Sequence, residues 1–186
     1  MVTLVSLWLP ILLSAVIVFV ASSILHMLLP WHRKDFSKLP HEEDVLAAFR
    51  QAGVGRGDYM FPCPDKPGNW RSPEMMEKYK RGPIGSMTLL PGGTPGIGKR
   101  LVQWFLYCAG VGIFAAYLTG RTTGPGAEYM RVYRIAGTVA FLGYAGALWQ
   151  GPIWKGSSVA TTIRHNVDGL IYALLTGGTF GCLWPR

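Results

Sequence analysis

The side chains of this chain that could do chemistry beyond packing are four histidines, three cysteines and an acidic residue, Asp168, inside an apolar stretch. His26 lies near the end of the first apolar stretch and His32 just beyond it. His41 sits further into the hydrophilic segment, and His165 just before the last apolar stretch. Paired imidazoles close to hydrocarbon can hold haem or a metal ion. The topology derived below puts His26 and His165 near the same membrane face, so a shared site is geometrically possible. No H-x-x-x-H or C-x-x-C spacing supports it, however, and packed or interfacial histidines explain the same residues. His26 and His165 therefore stand as cofactor candidates only, and neither a metal ligand nor a cofactor is assigned.

Other motifs are less productive. Gly93-Thr94-Pro95-Gly96-Ile97-Gly98-Lys99 matches the front of a phosphate-binding loop, G-x-x-x-x-G-K. The next residue should be Ser or Thr to hold magnesium, and it is Arg100. A glycine-rich lead into a helix with two basic anchors accounts for the segment, so nucleotide hydrolysis is not expected. Asp168 follows Arg164 by four, which predicts an i, i+4 ion pair at the interface rather than a proton relay. Cys63, Cys108 and Cys182 are scattered, which excludes a disulfide framework or a redox pair. Ser14, Ser22 and Ser23 have no partner beyond His26, so no catalytic residue is assigned and a non-enzymatic role is favoured.

The elements that carry these residues are four apolar stretches, Leu4–Leu29, Leu101–Thr119, Ile135–Trp154 and Val167–Trp184. Each approaches or exceeds the roughly 20 helical residues that cross a hydrocarbon core of about 30 Å. The fold class expected is an all-α membrane protein with four transmembrane helices: residues 1–29 form the first, 30–100 a cytoplasmic loop region, and 101–186 a three-helix bundle with spans at 101–119, 135–154 and 167–184. The first stretch lacks a basic leader and its apolar run is too long for a cleaved signal, so it reads as an anchor.

Charge orients the chain. Net charge is +8, and 12 of the 18 Lys and Arg fall between Pro30 and Arg100, several beside a span. Cytoplasmic segments carry such an excess, so the loop is placed inside and both termini outside. The asymmetry has a topological cause, which removes nucleic acid as an expected partner. Two short amphipathic helices are predicted in the loop. One starts near Pro40, with Glu42, Glu43 and Asp44 in its first turn and Gly53 as its stop; the other starts at Ser72-Pro73 and stops at Gly82. Turn-rich connections, with nothing longer than a short extended run, separate them.

Small residues stripe the last three spans: Cys108, Gly112, Ala116 and Gly120; Ala136, Ala140, Gly143 and Ala147; Gly169, Ala173, Gly177 and Gly181. Such stripes let helices approach closely in lipid, where no hydrophobic force separates them from the acyl tails. They predict a tight bundle, with an outer stripe available to a protein partner or a second copy.

The opening SLWLPILLSAVIVFVASSILHMLLPWHR, the loop's GDYMFP, the run WFLYCAGVGIFAAYLTGR and the ending DGLIYALLTGGTFGCLWP together resemble a group of small bacterial inner-membrane proteins of no known activity. The resemblance implies a bacterial plasma-membrane setting and brings no functional residues. The function expected is a structural or accessory subunit of a larger membrane assembly. The alternatives are a small channel or carrier for an uncharged or lipid-like solute, lined by Tyr107, Tyr117, Tyr144, Tyr172, Gln103 and Gln150, and a haem or metal redox protein using His26 and His165.

Overall fold

A computed structural model describes residues 2–93 and 96–186, and the chain is mostly helical. Clustering of its contacts gives two units, Met1–Phe36 with Gly96–Arg186, and Ser37–Pro95. Thr94 and Pro95, inside the glycine-rich motif, lie outside the described residues.

The first unit is a helical bundle. A 3-10 turn at Val5–Leu7 leads into α1 (Trp8–Ser23), which ends in a π turn at Ile24–Leu28. α4 (Ile97–Thr122) follows the second unit, whose own helices α2 and α3 are described below. The continuous helices Val5–Leu28 and Ile97–Thr122, of 24 and 26 residues, are long and apolar enough to cross a membrane. The two later stretches differ from expectation. Ile135–Trp154 is not one helix: α5 (Tyr129–Phe141) runs into a π turn at Leu142–Gly146, and α6 (Gln150–Lys155) follows. The hydroxyl of Tyr107 donates to the Gly143 carbonyl at 2.6 Å, which diverts an acceptor from the helical ladder at a glycine-rich point. α7 (Val159–Cys182) begins eight residues before the expected Val167, because Ser158 caps it by accepting from the Thr161 amide. Its first half therefore carries Arg164, His165, Asn166 and Asp168, and this polarity keeps it short of the apolar character of α1 and α4.

α1 packs on α4 and α7, α4 on α5, and α5 on α7, which closes a ring of antiparallel helices. Close approach occurs where glycine permits it. A Cβ on Gly120 would lie 2.8 Å from the Val2 carbonyl oxygen, and one on Gly177 would lie 2.8 Å from the Tyr133 carbonyl oxygen. On α4, Cys108, Gly112, Ala116 and Gly120 face inward; Gly112 meets α1 at Ile11. On α7, Gly169 sits against Ala145 and Gly181 against the ring of Tyr129, while Ala173 is buried. Ala136 and Ala140 are fully buried and Gly143 lies on Val111, whereas Ala147 falls beyond the π turn and is exposed. One end of the bundle joins the beginning of the chain to the α4–α5 turn and the last residues, through Val2 N–H to Gly120 O and Trp184 Nε1–H to Gly124 O. The other end holds the histidines. The outward flanks are apolar, with Leu12, Val20, Leu106, Phe114, Leu142 and Leu174 all exposed.

The second unit contains α2 (Glu42–Gln51) and α3 (Pro73–Arg81), the two predicted helices; Ser72 Oγ accepts from the Met75 amide as N-cap, and Gly82 ends α3. An antiparallel hairpin was not expected: β1 (Gly57–Phe61) pairs with β2 (Gly85–Leu89), Gly57 opposite Leu89 and Phe61 opposite Gly85. Thr88 Oγ1 donates to Asp58 Oδ1 at 2.6 Å across the pair.

Candidate metal centre

The site is built where α1 ends and α7 begins. Ser22 and Ser23 hydroxyls both donate to the Phe19 carbonyl, at 2.8 and 2.9 Å, which competes with the helical amide bond to that oxygen. The next turn widens to a π turn carrying His26, closed by Leu29 N–H to Ile24 O. Pro30 cannot continue the helix, and residues Pro30–His32 form a 3-10 turn that folds His32 back over His26, with ring centroids 4.1 Å apart. α7 supplies the other half. Positions 164, 165 and 168 share one helical face, so Arg164, His165 and Asp168 all meet this turn.

One ring nitrogen each of His26, His32 and His165 and a carboxylate oxygen of Asp168 all lie within 4.8 Å of one another. The His165 ring is 5.9 Å from that of His26 and stacks on that of His32 at 4.9 Å. The Asp168 carboxylate is buried, its side chain 3% exposed, and neither oxygen has a hydrogen-bond donor. His32 Nε2 is 2.9 Å from Asp168 Oδ2, yet it too lacks a hydrogen-bond partner, because the oxygen lies off the direction an N–H would take. A proton shared between them would align the pair; a cation bound by both would not need to.

A second set of contacts holds the first in place. His32 Nδ1–H donates to Asp35 Oδ2 at 2.6 Å, which leaves the Nε2 lone pair directed into the cluster. Asp35 also accepts from Arg164 Nε and Nη2, at 2.8 and 2.6 Å, and its side chain is 3% exposed. Burial alone would raise the Asp35 carboxyl, but hydrogen bonds from His32 and Arg164 and the guanidinium charge outweigh it and hold the group below its ordinary value. Asp35 is therefore ionised and fixes the tautomer of His32.

The sequence-based candidates His26 and His165 are brought together here. His32 and Asp168 join them, although neither was assigned to a site, and His41 belongs to the second unit. The predicted Arg164–Asp168 pair does not form, since Arg164 turns to Asp35. The H-x5-H spacing of His26 and His32 has no meaning on a regular helix; only the π turn and the Pro30 reversal make it a pair. Below the cluster, Trp104, Tyr144 and Tyr172 pack ring against ring at 5.4–6.1 Å, and Tyr107 stacks on Trp104. Of the four tyrosines named as a polar lining, Tyr144 and Tyr172 are buried in the bundle, while Tyr107 and Tyr117 are exposed. Comparison of the chain with protein-family models, curated proteins and solved structures finds no match.

Proposed function

We propose that this is an integral membrane metal-binding protein, spanning the bilayer four times with both termini outside and residues 30–100 cytoplasmic, and holding one divalent transition-metal ion at the cytoplasmic end of its bundle. The observation that carries the reading is the buried Asp168 carboxylate with no donor to either oxygen, facing three imidazoles. A buried carboxylate is costly, by about several kcal/mol, unless a cation compensates it, and the groups that face this one are His32 Nε2 at 2.9 Å and His165 Nδ1 at 3.8 Å. Three imidazoles and a carboxylate suit Zn, Fe, Mn, Co or Ni, and the lack of a thiolate or thioether disfavours Cu(I). Because His26 lies at the end of the first span and His32 just beyond it, while His165 and Asp168 open the last, the ion would tie the two ends of the chain's membrane domain together.

Four spans are favoured by packing. α5 and α7 run alongside α1 and α4, and the flanks of all four expose large aliphatic and aromatic side chains, as surfaces that meet a bilayer do. The bacterial inner membrane as the setting rests on the resemblance noted above. An accessory role within a larger assembly is compatible with the metal site.

Elemental analysis of protein purified in mild detergent, as isolated and after dialysis against Co2+, tests the reading. One ion per chain is expected, with loss of the ion in Asp168→Asn and His165→Ala. Wild-type protein that stays metal-free both as isolated and after dialysis against Co2+ overturns it.

A further inference from the structure

A cavity of about 300 Å³ lies between the end of α1 and the start of α4, and His26 belongs both to its wall and to the metal cluster. Met27, Ile97, Leu101 and Trp104 make the rest of the wall apolar, and Arg100 is its one formal charge. Met27 and Ile97 are 64% and 60% exposed, so the cavity opens on the flank of the bundle, the side that faces acyl chains in a bilayer.

The polar groups around it are unevenly satisfied. Trp104 Nε1–H donates to Ser22 Oγ at 2.7 Å, and Ser22 donates onward to Phe19, so this pair needs nothing further. Arg100 makes no ion pair or side-chain hydrogen bond among the described residues. The first turn of α4 holds Lys99 and Arg100 and no acidic side chain, the opposite of what the helix dipole favours there. An open apolar cavity with an exposed guanidinium in its wall suits an anion attached to a hydrocarbon chain, and the planar fork of Arg matches a carboxylate bidentately. The volume is at the low end for ligand sites, which suits a single acyl chain.

We propose that this cavity binds a long-chain fatty-acid carboxylate entering laterally from the membrane, its headgroup on Arg100 beside His26 and its chain along Met27, Ile97 and Leu101. The metal-linked part of the inference rests on the metal centre proposed above: occupancy is sensed by the ion through His26.

Full-length protein in nanodiscs, loaded with Co2+ and checked for metal content beforehand, is titrated with oleate while the visible cobalt bands are followed. A parallel titration with dibrominated stearate follows tryptophan quenching in wild type and Trp104→Phe. Saturable changes in both signals are expected. Trp104→Phe should lose the saturable quenching, and Arg100→Gln should raise half-saturation by about tenfold or more. The methyl ester and a dibrominated phosphatidylcholine should quench only linearly. Ester binding as tight as acid, or an Arg100→Gln curve superimposable on wild type with its metal content intact, overturns the carboxylate site. Cobalt bound with bands indifferent to oleate overturns the link to the metal. Absence of cobalt alongside saturable, Arg100-dependent quenching overturns the metal reading and upholds the carboxylate site.

Discussion

Replacing Asp35 with Asn keeps the shape of the buried side chain and removes the charge that holds His32. In the native protein Asp35 accepts three hydrogen bonds, one from His32 Nδ1 at 2.6 Å and two from Arg164 at 2.6 and 2.8 Å. An amide has one oxygen to offer, and its NH2 must face one of these donors, so at least one charge-assisted bond is lost and a donor meets a donor. Hydrogen bonds to charged groups contribute about 1.5–3 kcal/mol each. Their loss frees the His32 ring to turn or change tautomer. Metal-binding histidines deprived of such a carboxylate lose about 10- to 100-fold in affinity, about 1.4–2.8 kcal/mol. The measurement is competition between the detergent-solubilised protein and a chromogenic chelator for Zn2+ at neutral pH. Asp168→Asn, which removes a ligand itself, should bind more weakly still. An Asp35→Asn affinity within about twofold of wild type, with the fold intact by circular dichroism, refutes the reasoning that Asp35 orients a ligand.

Gly177→Val should destabilise the bundle by about 1–3 kcal/mol or more, because its Cβ would sit 2.8 Å from the Tyr133 carbonyl, a backbone atom that cannot swing aside; thermal unfolding in detergent reads the loss, and an unchanged midpoint counts against the packing. In a Cys182→Ser background, with Cys108 buried, Cys63 is the accessible thiol. Membrane-impermeant maleimide should label it only after permeabilisation, and labelling on intact cells reverses the proposed topology. Ser72→Ala should remove the cap on the Met75 amide and weaken α3 by about 1 kcal/mol, seen as faster amide exchange in its first turn. Metal affinity should fall as pH is lowered from about 7.5 to about 5, since imidazoles ligate only when unprotonated; a pH-independent affinity over that range argues against histidine ligation.

Local patterns announced much of the architecture. Ser72-Pro73 and the acidic turn at Glu42–Asp44 specified α2 and α3 through capping and dipole effects that operate within one turn. Hydropathy marked Leu4–Leu29 and Leu101–Thr119, which overlap the apolar helices Val5–Leu28 and Ile97–Thr122, and a Cβ on Gly120 or Gly177 would come within 2.8 Å of a neighbouring carbonyl oxygen. The hairpin escaped notice because its two strands lie 30 positions apart at Asp58 and Thr88, and five-residue strands carry too little periodicity to declare a partner.

Sequence by itself determined the helical, apolar character of this chain, the basic central segment and two of the histidines worth watching, because hydropathy, charge and capping are properties of residues and near neighbours. Tertiary structure alone decided the site. It required a π turn after Ser22 and Ser23, a reversal at Pro30 and an early start to α7, so that His26 and His32 meet His165 and Asp168 across more than a hundred residues of intervening chain. It also took Arg164 from its neighbour one turn away and gave it to Asp35, because a buried carboxylate already bound to His32 offers a guanidinium two bonds at once.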